Sequence, residues 1–122
     1  MKDIRSHKDL ELYKESKLLV IMVYKLTDKL PDAEKFGLVS QMRRAAVSIP
    51  SNLAEGAARK NTKEFIQFLY HSLGSASELE TQIDICHDLN FIDDVKEVND
   101  KLNYIINMLL RLIKTLKSKI NR

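Results

Sequence analysis

Residues 95–120 read VKEVNDKLNYIINMLLRLIKTLKSKI. Val95, Val98, Leu102, Ile105, Leu109, Leu112 and Leu116 step by three and four in alternation, the spacing of one apolar seam on a helix that packs against other helices. The same stepping recurs upstream. It runs through Phe65, Leu69, Ser72, Ala76, Leu79, Ile83 and Cys86, through Val39, Met42, Ala46, Ile49, Leu53 and Gly56, and through Leu12, Ser16, Leu19, Val23, Leu26 and Leu30. Breaks fall at Leu30-Pro31-Asp32, near Arg59 to Thr62, and at Asn90 to Asp94, which predicts helices over about 9–30, 33–59, 62–89 and 94–119. Each break carries a start signal. Asp32 is placed to cap the second helix, and Asn61 with Glu64, then Asp94 with Glu97, have the spacing of a capping box. Short connections between long helices make neighbours antiparallel, so the expected fold is all-α, an antiparallel up-down-up-down four-helix bundle forming one domain over 1–122.

Composition narrows the function classes. The only cysteine, Cys86, leaves no partner for an intramolecular disulfide, which fits a reducing, cytoplasmic setting. The amino-terminal Met1 to Asp9 has no apolar core behind its charges and does not read as a secretory signal. The longest apolar run, Leu18 to Tyr24, is seven residues, far short of the roughly 20 needed to cross a bilayer. That run makes two turns of the first helix apolar nearly all round, and Ile106, Ile113 and Ile120 recur every seven residues beside the fourth seam. A helix apolar on every side must be covered on every side, so self-association is expected.

The net charge of +3 hides an uneven distribution. Between Ser75 and Asp100 lie eight acids and one base, Lys96, whereas Arg111, Lys114, Lys117, Lys119 and Arg122 form a terminal run with no acid. A second basic group comprises Arg43, Arg44, Arg59, Lys60 and Lys63. The molecule should be electrically polar, a property that bears on partners rather than on fold. No aromatic interleaves either basic group along the chain, which favours contact with a nucleic-acid backbone over base stacking.

The second helix holds the most informative residues. At 100° per residue, Gln41, Arg44, Ser48, Ser51, Asn52, Glu55 and Arg59 form one polar stripe about a quarter-turn wide, with Glu55 and Arg59 at pairing distance. The stripe reads either as a solvated or interfacial salt-bridge face, or as part of a phosphate-contacting surface with Arg43, Lys60 and Lys63. Pro50 removes one backbone donor from this helix and favours a bend, and the small residues around it permit close packing.

Residues of catalytic type do not converge. Cys86 belongs to an apolar seam and His87 points about 100° away from it, so with Asp84 and Asp88 they lack zinc-ligand spacing. His7 and His71 have no carboxylate at general-base spacing, and the Glu-x-x-His pairs of di-iron bundles are absent. The reading is a protein that is not an enzyme and needs no cofactor or metal.

The string Gln41-Met-Arg-Arg-Ala-Ala-x-Ser-Ile-Pro-Ser-Asn-Leu-Ala-Glu-Gly56 closely resembles the family of four-helix-bundle, or 23S ribosomal RNA intervening-sequence, proteins. Asp9-Leu-Glu-Leu-Tyr13, Glu34-Lys-Phe-Gly-Leu38, Phe65 to Leu69 and Gly74-Ser-Ala-Ser-Glu-Leu-Glu-Thr81 extend the resemblance. Leu53 stands where isoleucine is usual and Ser72 where alanine is usual. The resemblance implies a bacterial four-helix bundle and a homo-oligomer, a ring of five, as in related accessory proteins of diversity-generating retroelements that bind nucleic acid and a reverse transcriptase. The family name reflects where some of its genes lie, within inserts of ribosomal RNA genes. Two functions are therefore expected as alternatives: a non-catalytic homo-oligomer binding RNA or DNA through its basic residues, or a scaffold that binds a protein partner and no nucleic acid.

Overall fold

The computed structural model describes residues 7–120. Four helices carry the architecture, α1 (His7–Thr27), α2 (Leu38–Ala57), α3 (Thr62–Asp88) and α4 (Lys96–Ile120), with one 3-10 turn (Asp32–Glu34) ahead of α2. Among the described residues there is no strand. The helices pack cyclically, α1 on α2, α2 on α3, α3 on α4 and α4 back on α1, and the diagonal pairs stay apart.

Cross-helix contacts give the directions. Met42 meets Cys86, Ser48 meets Ser75, Ile49 meets Ser72 and Gly56 meets Phe65, so numbers rise along α2 as they fall along α3. Glu11 with Tyr104 and Glu15 with Lys101 give the same opposition for α1 and α4. On α1 and α2 it is Thr27 with Arg43 at one end, and Tyr13 beside Ala54 towards the other.

The seams read from the sequence form the core. On α3 every seam residue from Phe65 to Cys86 is buried, and on α4 Val98, Leu102, Ile105, Leu109 and Leu116 are too. The fourth helix departs in one respect. Ile113 is buried and Ile106 and Ile120 are half-buried, while Leu112 is only half-buried, so the isoleucine row belongs to the bundle's own core. α4 presents a wide stripe to both α1 and α3, which takes in more than one strict seam. The first helix does keep surplus apolar surface: Leu18, Ile21 and Tyr24 are exposed, with Val47 of α2 nearby.

Helix ends differ from expectation for identifiable reasons. Asp32 does not cap α2; residues 32–34 wind into the 3-10 turn, and the Glu34 carboxylate accepts the Leu38 N–H at 3.3 Å. Asn61 accepts the Glu64 N–H at 2.8 Å, as its spacing requires. Asp94 instead takes the N–H of Lys96, two residues on, at 3.0 Å. α3 ends on Asn90, whose φ of 62° places it in the left-handed region that asparagine tolerates. Phe91 N–H then reaches back to the Cys86 carbonyl at 3.0 Å and closes the helix.

Two ties fix neighbouring helices. Arg43 donates through Nε to the Thr27 hydroxyl (2.9 Å) and through one Nη to Asp28 (2.9 Å) and the Tyr24 carbonyl (3.3 Å), while its guanidinium lies 4.4 Å from the Tyr24 ring centroid. One side chain thus supplies donors to the last turn of α1. Between α2 and α3 the approach is closer. A Cβ on Gly56 would lie 2.6 Å from Phe68 Cβ and 3.0 Å from a Phe65 ring carbon. The buried Ser72 hydroxyl donates to the Ile49 carbonyl at 2.8 Å, next to Pro50, and α2 runs on through that proline to Ala57.

Gly56→Ala should therefore destabilise the protein by about 1–2 kcal/mol in urea unfolding, overpacking outweighing the helical gain. Gly74→Ala, where an added methyl meets nothing within 4 Å, should stabilise by about 1 kcal/mol. Arg43→Ala should cost about 1–2 kcal/mol and Arg43→Lys should recover little, since an ammonium lacks the fork. Asp28→Asn, which removes only the exposed ion pair, should change the unfolding free energy by less than about 0.5 kcal/mol.

Candidate nucleic-acid interface

The polar stripe of α2 divides on folding. Gln41, Arg44, Ser51, Glu55 and Arg59 are exposed along its outer side, with Arg59 and Glu55 paired at 3.3 Å. Ser48 and Asn52 turn towards α3 and are half-buried. Asn52 donates to the Ser48 carbonyl (2.9 Å) and hydroxyl (2.8 Å), and Ser75 of α3 bonds the same hydroxyl at 2.9 Å. Those two residues serve helix packing rather than an open surface.

The five basic candidates separate as well. Arg43 is engaged by α1 and sits at the opposite end of α2 from Arg59. Arg44 is exposed on the outer side of α2, and its side chain has no ion pair or hydrogen bond among the described residues. Arg59, Lys60 and Lys63 gather at the corner where α2 passes into α3. Lys60 and Lys63 are exposed and without an ion pair among the described residues.

This corner acquires further charge that chain order conceals. Because the helices alternate in direction, the α2–α3 corner and the last turns of α4 lie at one end of the bundle. Thr62 and Lys119 line one cleft of about 680 Å³ there, together with Asp9, Arg111 and Leu116. Lys117 reaches across to α3, its Nζ 5.1 Å from the Tyr70 ring centroid. Lys114 is exposed one turn before it, and Lys119 is exposed on the side of α4 that meets α1; Arg122 and the side chain of His7 lie outside the described residues, as does the stretch before His7. The acids Asp84, Asp88, Asp93, Asp94, Glu97 and Asp100 collect at the other end, around the α3–α4 turn. The expected electrical polarity is thus resolved along the long axis.

Rings also come to the bases. Arg59 lies with its guanidinium carbon 4.8 Å from the Phe68 centroid, and His71 packs edge-to-face on Phe68 with centroids 5.9 Å apart. The expectation that no aromatic accompanies the basic groups is therefore corrected. Phe68 and Tyr70 are distant in sequence from Lys117 and separated from Arg59 by a turn, so spacing along the chain does not reveal either pair.

No three of His, Cys, Asp and Glu converge as metal ligands among the described residues. The Cys86 thiol is buried, its Sγ 3.5 Å from Met42 Sδ, and burial, aided by the charge of Glu34, pushes its pKa up. A thiol held protonated is a poor nucleophile. No helix among the described residues is long and apolar enough to cross a membrane.

The fold is similar to the crystal structure of a protein of unknown function from the S23 ribosomal protein family of Bacteroides thetaiotaomicron. That match covers 88% of this chain and 98% of the other with a TM-score of 0.81 and 24% identity, a likeness of fold. No curated protein matches the sequence. The family model for 23S rRNA-intervening sequence proteins matches residues 8–111, from the first turn of α1 well into α4. On that span the chain belongs to the 23S rRNA-intervening sequence protein family.

Proposed function

We propose that this protein is a non-catalytic, self-associating bundle that binds RNA or DNA through phosphate contacts at its basic end. The observation that carries the reading is the convergence of Arg59, Lys60 and Lys63 with Lys114, Lys117 and Lys119 at one end of the molecule. Arg43 is left out of the contact set because its donors are spent on α1. Arg presents a planar fork and Lys a mobile point charge, and both suit phosphate oxygens. The single buried thiol, Cys86, accords with a cytoplasmic setting.

Self-association is proposed through the α1–α2 face. Leu18, Ile21, Tyr24 and Val47 are between 40% and 51% exposed; Ile21 and Val47 line a shallow groove of about 480 Å³ with Val20, Pro50 and Ala54, and Ile21 and Tyr24 line a second of about 430 Å³. A contiguous apolar surface of this kind on a small domain favours a partner. A ring of five, as the family resemblance implies, would present five basic ends together, and avidity would then multiply a weak contact. A second reading, a protein-interaction scaffold without nucleic-acid binding, draws on Arg44: unpaired and on the same side of α2 as Val47, it suits the rim of a protein interface.

Fluorescence anisotropy with a single-stranded RNA across a salt series tests the first reading. Binding should weaken linearly in log–log form, and the Lys60→Gln/Lys63→Gln double variant should flatten the slope by about 1.4, from about 0.7 per phosphate contact. No binding at low salt would overturn this reading in favour of the scaffold. For assembly, Ile21→Glu should convert the oligomer to a monomer of unchanged helicity, as followed by light scattering. A wild-type chain that scatters as a monomer at micromolar concentration would remove self-association.

A further inference from the structure

Two aromatic rings in the first turns of α3 each lie beside a cation from outside that helix, Phe68 beside Arg59 of the α2–α3 turn and Tyr70 beside Lys117 of α4. Phe68 lies half-buried against Gly56 and carries the Arg59 guanidinium over its ring. Tyr70, 44% exposed, stands beside Lys117, and its hydroxyl makes no hydrogen bond among the described residues. At 100° per residue the two positions are about 160° apart around α3, with Gln67 and His71 on the solvent face between them and Lys63 next to Tyr70. Glu55 and Glu64 are the acids nearest these rings, Glu55 engaged by Arg59, and Asp9 and Glu11 line the neighbouring cleft with Thr62 and Lys119.

Core packing explains Phe68 and leaves Tyr70 unexplained. A tyrosine whose ring is open to solvent and whose hydroxyl is unbonded stabilises the bundle little, and its place among unpaired lysines gives it a chemical neighbourhood instead. We infer that the basic end recognises single-stranded nucleic acid, with an unpaired base stacking on the Tyr70 ring while Lys60, Lys63 and Lys117 take the phosphates. Bases within a duplex keep their faces stacked on one another, so only an unpaired strand can offer a face to a ring. This inference rests on the proposed reading of the basic end as a nucleic-acid surface and adds to it the strandedness of the ligand.

The test compares four probes of one length by fluorescence anisotropy with the full chain: oligouridylate, oligothymidylate, an abasic phosphodiester strand, and duplex RNA. Both base-bearing strands should bind about fivefold or more tightly than the abasic strand, the ratio that one stacked base supplies. Tyr70→Leu, at an exposed site that tolerates an apolar residue, should remove most of this advantage and leave the salt slope unchanged. Preference for uridylate over thymidylate, with both ahead of the abasic strand, would support the inference and assign a further contact to the ribose hydroxyl. Equal binding of base-bearing and abasic strands, duplex binding as tight as single-strand binding, or an advantage that survives in Tyr70→Leu would overturn the stacking role and leave the phosphate surface standing. Failure of every probe to bind at low salt would overturn both.

Discussion

At Gly56 the backbones of α2 and α3 come so close that a single methyl group would lie 2.6 Å from Phe68 Cβ. Everything at the basic end follows from that approach. It sets Phe68 under Arg59, and it brings Lys60 and Lys63 into a tight corner rather than a loop. Further along the same pair, Ser72 bonds the Ile49 carbonyl and Ser75 bonds Ser48, so the two helices are joined by hydrogen bonds as well as by packing. A buried hydroxyl is costly unless it finds a partner, and the carbonyl beside Pro50 provides one. Serine at position 72 therefore binds α3 to α2 where alanine would only fill space.

The other pairs use different means. Arg43 fastens the end of α1 to α2 through three acceptors, and Glu15 with Lys101, 2.6 Å apart and largely shielded, fastens α1 to α4. These polar ties sit at the margins of a core that is mainly apolar, its buried Ser16 and Ser72 hydroxyls bonded to backbone carbonyls, so they set which helices are neighbours more than how strongly they hold. α1 keeps Leu18, Ile21 and Tyr24 exposed on its outer side, because its two neighbours cover only the Leu12, Leu19 and Val23 face.

The fold was legible because its signal is periodic. Seams of three and four, a proline, an asparagine cap and a left-handed Asn90 all act within a few residues of one another, and each predicts local geometry. Boundaries blurred where two acids competed for one role, as Asp32 and Glu34 did ahead of α2. The isoleucine row of α4 was misplaced because a helix facing two partners buries a band wider than one seam. At the candidate site, the pairing of Glu55 with Arg59 was visible as a four-residue spacing. The pairing of Phe68 with Arg59 and of Tyr70 with Lys117 was not, since it arises from the packing of separate helices. Nor could sequence show that Arg43, adjacent to Arg44 in the chain, would be spent inward while its neighbour stays in solvent.

An excess of acids at one end and of bases at the other makes each bundle an electrical dipole along its length. In any assembly that sets bundles side by side with like ends together, those dipoles repel, and contact through Leu18, Ile21 and Val47 has to outweigh the repulsion. Dissolved ions screen that repulsion, yet they also compete with lysines for phosphate. Assembly and nucleic-acid binding would then respond to ionic strength in opposite directions, so the salt at which both persist together is bounded on each side.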